Sequence, residues 1–206
     1  MKTLKLLFLI VILPTLYACS TLNTGTTEYG MSLDTHHLSW PERQKQLMAL
    51  QTWSAQGDAA AHSDTKGWNA SFSWQQTKND YAMQLFGPLG LNRMQLTGDP
   101  SQSTLKTGSQ TFTAPNAELL LQQQTGWQLP VADLNYWLRG LPAPQGSKFK
   151  RSFDLNNHIV HLNQQGWDIL YLRYVSVKGI DLPDRILLSN PQWQVHLVVR
   201  RWQLDQ

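Results

Sequence analysis

Trp68-Asn69-Ala70-Ser71-Phe72-Ser73-Trp74-Gln75 places apolar side chains at every even position and polar ones between them. A period of two is the pattern of a strand with one buried face. Lys78-Asn79-Asp80 supplies turn chemistry, after which Tyr81, Met83 and Leu85 alternate with Ala82 and Gln84. Two such runs about a short turn predict an antiparallel hairpin. Phe72, Trp74, Met83 and Leu85 then share one side of it, although parity alone does not say whether that side faces inward.

Working outward, further strands are expected from about Leu91 to Leu96, ending at Gly98-Asp99-Pro100, and around Thr104–Thr107 and Gln110–Thr113. The period then changes. Asn116 caps a run holding Leu119, Leu120 and Leu121 that Gly126 ends. After Pro130, Val131, Leu134, Tyr136, Trp137, Leu138 and Leu141 recur at helical spacing, with Gly140 at the stop position. Strands resume at Phe149–Leu155, Ile159–His161, Trp167–Val175, Arg185–Leu188 and Trp193–Val199, punctuated by Asn156-Asn157, Gln165-Gly166 and Asn190-Pro191. On the other side of the hairpin, Ser39 and Glu42 form a capping-box pattern before a helix whose apolar face takes Trp40, Leu47, Leu50 and Trp53. The expectation is a mainly β fold: an incomplete, open antiparallel β-barrel of about ten or eleven strands. A helical lid would cover it and enclose an apolar cavity, unless side chains fill the interior as ordinary core.

The first residues read differently. Lys2 and Lys5 precede the apolar run Leu6 to Leu13, and small Ala18 precedes Cys19, the three parts of a secretory signal. The run is shorter than the roughly 20 residues that span a bilayer. Cys19 is the single cysteine, so no internal disulfide is available in an oxidising compartment. Residues 20–38 are rich in Thr, Asn, Gly and Ser, a tether with a reach of roughly 25 Å at about 5–6 Å times the square root of length. The expected organisation is a signal peptide over 1–18, a lipidated N-terminus and tether over 19–38, and one domain over 39–206.

Composition excludes some functions. Removing Lys2 and Lys5 from the 17 basic residues leaves them nearly balanced by 14 acidic ones, with no basic face for nucleic acid. Lys148, Lys150 and Arg151 are expected as a solvated strand edge. No catalytic signature is present: there is no nucleophile elbow and no phosphate-binding loop. His158 and His161 are expected to point to opposite faces, and Asp64, Asp80, Asp99, Asp181 and Asp184 to serve turns. No enzyme activity, metal site or cofactor is expected beyond covalent lipid on Cys19. Nine tryptophans in 206 residues suit either an apolar-ligand binder or an aromatic-rich core. Phe86-Gly87-Pro88-Leu89-Gly90-Leu91 joins two strands with apolar residues where polar ones are usual. It is either a tight turn with Leu89 folded under or an exposed apolar tip.

Leu16-Tyr17-Ala18-Cys19 resembles a lipobox, with Tyr17 where a small residue is usual. Together with Phe72-Ser73-Trp74-Gln75-Gln76, Gly87-Pro88-Leu89-Gly90 and Trp137-Leu138-Arg139-Gly140-Leu141-Pro142 it resembles the LolB family over the whole chain. The resemblance implies a receptor that takes acylated lipoproteins from the periplasmic carrier LolA and inserts them into the outer membrane. The protein would be anchored to that membrane's periplasmic face among its phospholipids, with Ser20 after the cysteine fitting that destination. It implies an insertion loop of Phe86, Pro88 and Leu89. It also implies an acyl-chain cavity, with Phe72, Trp74, Met83, Leu85, Leu120, Trp137 and Leu138 as lining candidates. A monomer is expected. The alternatives are a lipid-anchored structural or assembly factor of the envelope with a filled barrel, and a carrier of free lipids.

Overall fold

The computed structural model describes residues 38–87, 93–144 and 148–205. The helix α1 (Trp40–Met48) opens the domain, Glu42 Oε2 accepting the Ser39 backbone N–H at 2.8 Å. Six successively paired strands follow: β1 (Thr52–His62), β2 (Gly67–Thr77), β3 (Asp80–Phe86), β4 (Met94–Gly98), β5 (Ser103–Thr107) and β6 (Gln110–Ala114). Two helices, α2 (Ala117–Thr125) and α3 (Val131–Trp137), precede β7 (Lys150–Phe153), β8 (Ile159–Gln164), β9 (Trp167–Val177), β10 (Ile180–Ser189) and β11 (Gln194–Leu204).

The strands form one antiparallel sheet in the order β6-β5-β4-β3-β2-β1-β11-β10-β9-β8-β7. The first and last strands of the barrel, β1 and β11, therefore pair at its centre, and the free edges β6 and β7 are consecutive in the chain. The sheet does not close; α2 and α3 bridge the gap between its edges. Asn116 Oδ1 accepts from the Leu119 N–H at 2.9 Å to start α2, and Gly126, at φ 76°, ends it. Pro130 offers no side-chain cap to α3; Glu118 Oε1 accepts from the Ala132 N–H at 2.9 Å instead, joining the two helices.

Three sequence expectations change. The N-terminal helix stops at Met48, and Trp53 belongs to β1, a strand the pattern did not predict. Its inward positions after Trp53 are Ala55, Gly57, Ala59 and Ala61, too small to give a hydrophobic alternation and weak in strand propensity. Second, β10 begins at Ile180 rather than Arg185, because Lys178 and Gly179, both at positive φ, make a two-residue hairpin turn. Third, Asp181 and Asp184 consequently lie in a strand and not in turns. Asp184 is buried and ion-paired with Arg173.

Candidate functional site

The concave face of the sheet carries a cluster of buried tryptophans. Trp53 lies 6.0 Å from Trp74 and 5.4 Å from Trp202, ring centre to ring centre. These rings fill the end of the barrel nearest α1, and burying each large apolar side chain contributes about 1.5–3 kcal/mol. Toward the other end the inward side chains of β1 shrink to Ala59 and Ala61, and a cleft opens. Small residues in the middle strand therefore create the space. Gly57 has a separate role: at the bulge opposite β11 a Cβ would lie 1.9 Å from the Val198 carbonyl oxygen.

The cleft has a volume of about 60 Å³, below the roughly 300–1,000 Å³ of small-molecule pockets. Its floor is Phe72, Trp74, Met83 and Leu85 from β2 and β3, with Leu188, Val195 and Leu197 from β10 and β11. Its roof is Leu121 of α2, Leu134 of α3, Leu138, and Trp127-Gln128-Leu129 from the connection between the helices. Gln128 is the one polar residue among them. Trp127 stacks on Trp68 with ring centres 4.6 Å apart and planes 14° apart, holding the connection down on β2 beside the opening.

The lid is fixed most firmly at the C-terminal end of α3. The Trp137 Nε1–H and the Ala143 N–H both donate to Gln164 Oε1, at 3.0 and 2.9 Å, and Gln164 Nε2 donates to the Ala143 carbonyl at 2.8 Å. The Tyr171 hydroxyl donates to the Trp137 carbonyl at 3.0 Å, and full burial pushes its pKa up. Arg139 is buried, and among the described residues no carboxylate is ion-paired with it. Its Nη1 donates to the carbonyls of Leu47 and Leu50, both at 3.0 Å, and its Nε to that of Asn135 at 3.1 Å. Burial lowers the guanidinium to about 10, so it stays charged at neutral pH. That cation sits at the C-terminal end of α1, where the helix dipole favours it.

The named sequence candidates fall as follows. Phe72, Trp74, Met83, Leu85 and Leu138 line the cleft, which settles the direction of the hairpin's apolar side as inward. Leu120 and Trp137 are buried but lie outside it: helical spacing turns Leu121 toward the cleft in place of Leu120, and Trp137 points at Gln164. Phe86 is half-buried on the opposite, outer surface, beside an open groove shared with Asp58, Ser71 and His196. Its ring lies 5.5 Å from the Arg93 guanidinium. Pro88, Leu89 and Cys19 lie outside the described residues. Sequence reasoning missed Trp127, Arg139 and Gln164, and a tryptophan between two helix signals was the available clue to the first.

An open antiparallel sheet wrapped around an apolar cleft, with helices linking its free edges, places the chain among the LolA-like folds. A LolA superfamily protein from Nitrosomonas europaea superposes with a TM-score of 0.56 at 9% identity, over 82% of this chain and 94% of that one. At that identity the likeness concerns the fold alone. Sequence narrows it. The family model "Outer membrane lipoprotein LolB" matches residues 51–202. The outer-membrane lipoprotein LolB of Coxiella burnetii (strain RSA 493 / Nine Mile phase I) is 34% identical over 189 residues, covering 90% of this chain and 86% of that one. That of Pseudomonas putida (strain GB-1) is 37% identical over 168 residues, covering 81% and 82%. The chain belongs to the LolB family of outer-membrane lipoproteins.

Proposed function

We propose that this protein accepts acylated lipoproteins from the periplasmic carrier LolA and inserts them into the outer membrane, holding their acyl chains between the sheet and the α2–α3 lid. In this reading the N-terminal signal is removed before Cys19, and lipid on Cys19 anchors the protein to the periplasmic face. The observation that carries the reading is the cleft itself, apolar on floor and roof and covered by a connection held through one aromatic stack. At about 60 Å³ it is too small for acyl chains as it stands. Cargo must lift α2 and the Trp127 connection, while Gln164, Tyr171 and Arg139 keep the far end of α3 in place. No nucleotide motif is present in the sequence, so direction comes from affinity: carrier weakest, this protein tighter, membrane tightest, each step about 1.4 kcal/mol per tenfold.

The test is displacement of an apolar dye from the delipidated protein by purified lipoprotein. Stoichiometric displacement by acylated but not by deacylated cargo is expected. No dye binding, or displacement indifferent to acylation, would favour a filled barrel and a structural role in the envelope. Leu89 serves the release step in this scheme, so Leu89→Glu accepts cargo and leaves it undelivered; delivery to liposomes at the wild-type rate would refute that role.

A further inference from the structure

The turn between β7 and β8 presents Leu155 with 97% of its surface exposed. The turn beneath it is strongly built. Asp154 Oδ1 accepts from the backbone N–H groups of Asn156 and His158, at 2.9 and 2.8 Å. The His158 ring lies between Asp154 Oδ2 at 2.8 Å and Asp181 Oδ2 at 3.0 Å. Arg43 of α1 donates to the Asn156 carbonyl at 3.2 Å. The leucine is thus held out in water on a rigid support.

Its neighbours share a chemistry. Phe149 and Phe153 lie along the edge strand, each 38% exposed. With Trp40 they surround the Arg151 guanidinium, which lies 5.1–5.3 Å from all three ring centres. Lys148 and Lys150 are exposed on the same edge. The carboxylates at this end are engaged elsewhere, Asp154 and Asp181 with His158 and Arg43 and Glu42 with Ser39. Among the described residues none is ion-paired with Lys148, Lys150 or Arg151. Aromatic rings interleaved with cations, around a projecting aliphatic tip, suit the boundary between lipid headgroups and acyl chains. The point of attachment agrees: Asn157 Nδ2 donates to the Leu38 carbonyl at 3.1 Å, so the chain leading from Cys19 joins the domain beside this turn.

We infer that the β7 edge and the β7–β8 turn form a docking surface for the phospholipid leaflet that carries the anchor. Leu155 and the three rings enter the headgroup–acyl boundary, and Lys148, Lys150 and Arg151 meet lipid phosphates. The identity of the leaflet rests on the proposed lipidation of Cys19; the chemistry of the surface does not.

The test uses the full chain, purified with its native modification and reconstituted into vesicles of phosphatidylethanolamine and phosphatidylglycerol. A lipidated Cys19 cannot be labelled, so a fluorophore on Leu155→Cys or, as control, on Gln75→Cys of the outer face of β2 reports one position. Mass spectrometry establishes the state of Cys19. Quenching at 155 by spin-labelled lipid, at a depth of about 5–10 Å, is expected, with none at 75. Most of it is lost in a Lys150→Glu/Arg151→Glu variant whose far-ultraviolet circular dichroism is unchanged. Vesicle-bound protein with position 155 unquenched overturns the docking surface and leaves the anchor standing. Cys19 found unacylated sinks the anchor, and quenching at 155 in a Cys19→Ser/Leu155→Cys protein, which has no other thiol, supports the surface without it.

Discussion

Replacing Arg139 by methionine removes the cation that joins the end of the lid to α1 while keeping a side chain of similar length. Three hydrogen bonds from a charged donor to backbone carbonyls are lost, each worth about 1.5–3 kcal/mol. Against this, the substitution relieves a desolvation cost. The fall of the guanidinium pKa from 12.5 to about 10 corresponds to about 3 kcal/mol at 1.36 kcal/mol per unit. The difference is a net destabilisation of about 1–6 kcal/mol, or a fall of roughly 0.5–3 M in the urea midpoint at an m-value of about 2 kcal/mol/M. Arg139→Lys retains the charge without the fork of donors and falls between the two. Urea unfolding followed by tryptophan fluorescence measures all three proteins. A methionine variant within about 0.5 kcal/mol of the parent, the scatter of ordinary surface changes, would show that the guanidinium does not hold the lid to α1.

Other substitutions probe the same frame. Gly140 has φ 77°, and a Cβ there would lie 2.9 Å from the Tyr174 hydroxyl, so Gly140→Ala costs about 1–3 kcal/mol, seen as a lowered thermal midpoint. Trp127→Ala removes a stack worth about 0.5–1.5 kcal/mol from the lid and should strengthen binding of an apolar dye about two- to tenfold; unchanged binding would show that the stack does not limit access. Burial alone would raise the carboxyls of Asp154 and Asp181, but hydrogen bonds from His158, with the charge of Arg43 on Asp181, hold both below their ordinary values. Their stabilisation is therefore fully present above the unfolded carboxyl pKa of about 3.9 and is lost as pH falls through the folded values. His158→Ala should move the acid-unfolding midpoint upward, and an unmoved midpoint would count against the network.

The legible parts of the fold were those where one side chain type dominates a face. The hairpin of Phe72, Trp74, Met83 and Leu85 declared its period because its inward residues are large, and α2 declared its ends through Asn116 and Gly126. The strand β1 did not, since the alanines that make room for the cleft also erase the alternation. The strand β10 was cut short because Asp181, Pro183 and Asp184 look like loop residues, and only the partners Arg43, His158 and Arg173 make two buried or half-buried carboxylates tolerable in a strand. Of the cleft, the floor could be read and the roof only in part. One residue of helical phase separates Leu120 from Leu121, and sequence boundaries are not sharp enough to fix it. The clamp at Arg139 and Gln164 depends on groups far apart in the chain, which no local pattern reveals.

The pairing of β1 with β11 bears on how the molecule is made. Trp53 lies opposite Leu204 and His62 opposite Gln194, so the central pair of the sheet joins the two ends of the domain. Hairpins such as β2–β3 need only short loops to close and can form as soon as their residues are available, on the microsecond scale. The central pair has to wait for the last strand, and long-range pairing of this kind is slow. A growing chain without β11 has β1 covered on one side only and cannot complete its core. A chain that cannot finish folding before its final residues arrive remains extended enough to be threaded across a membrane, and becomes compact on the far side.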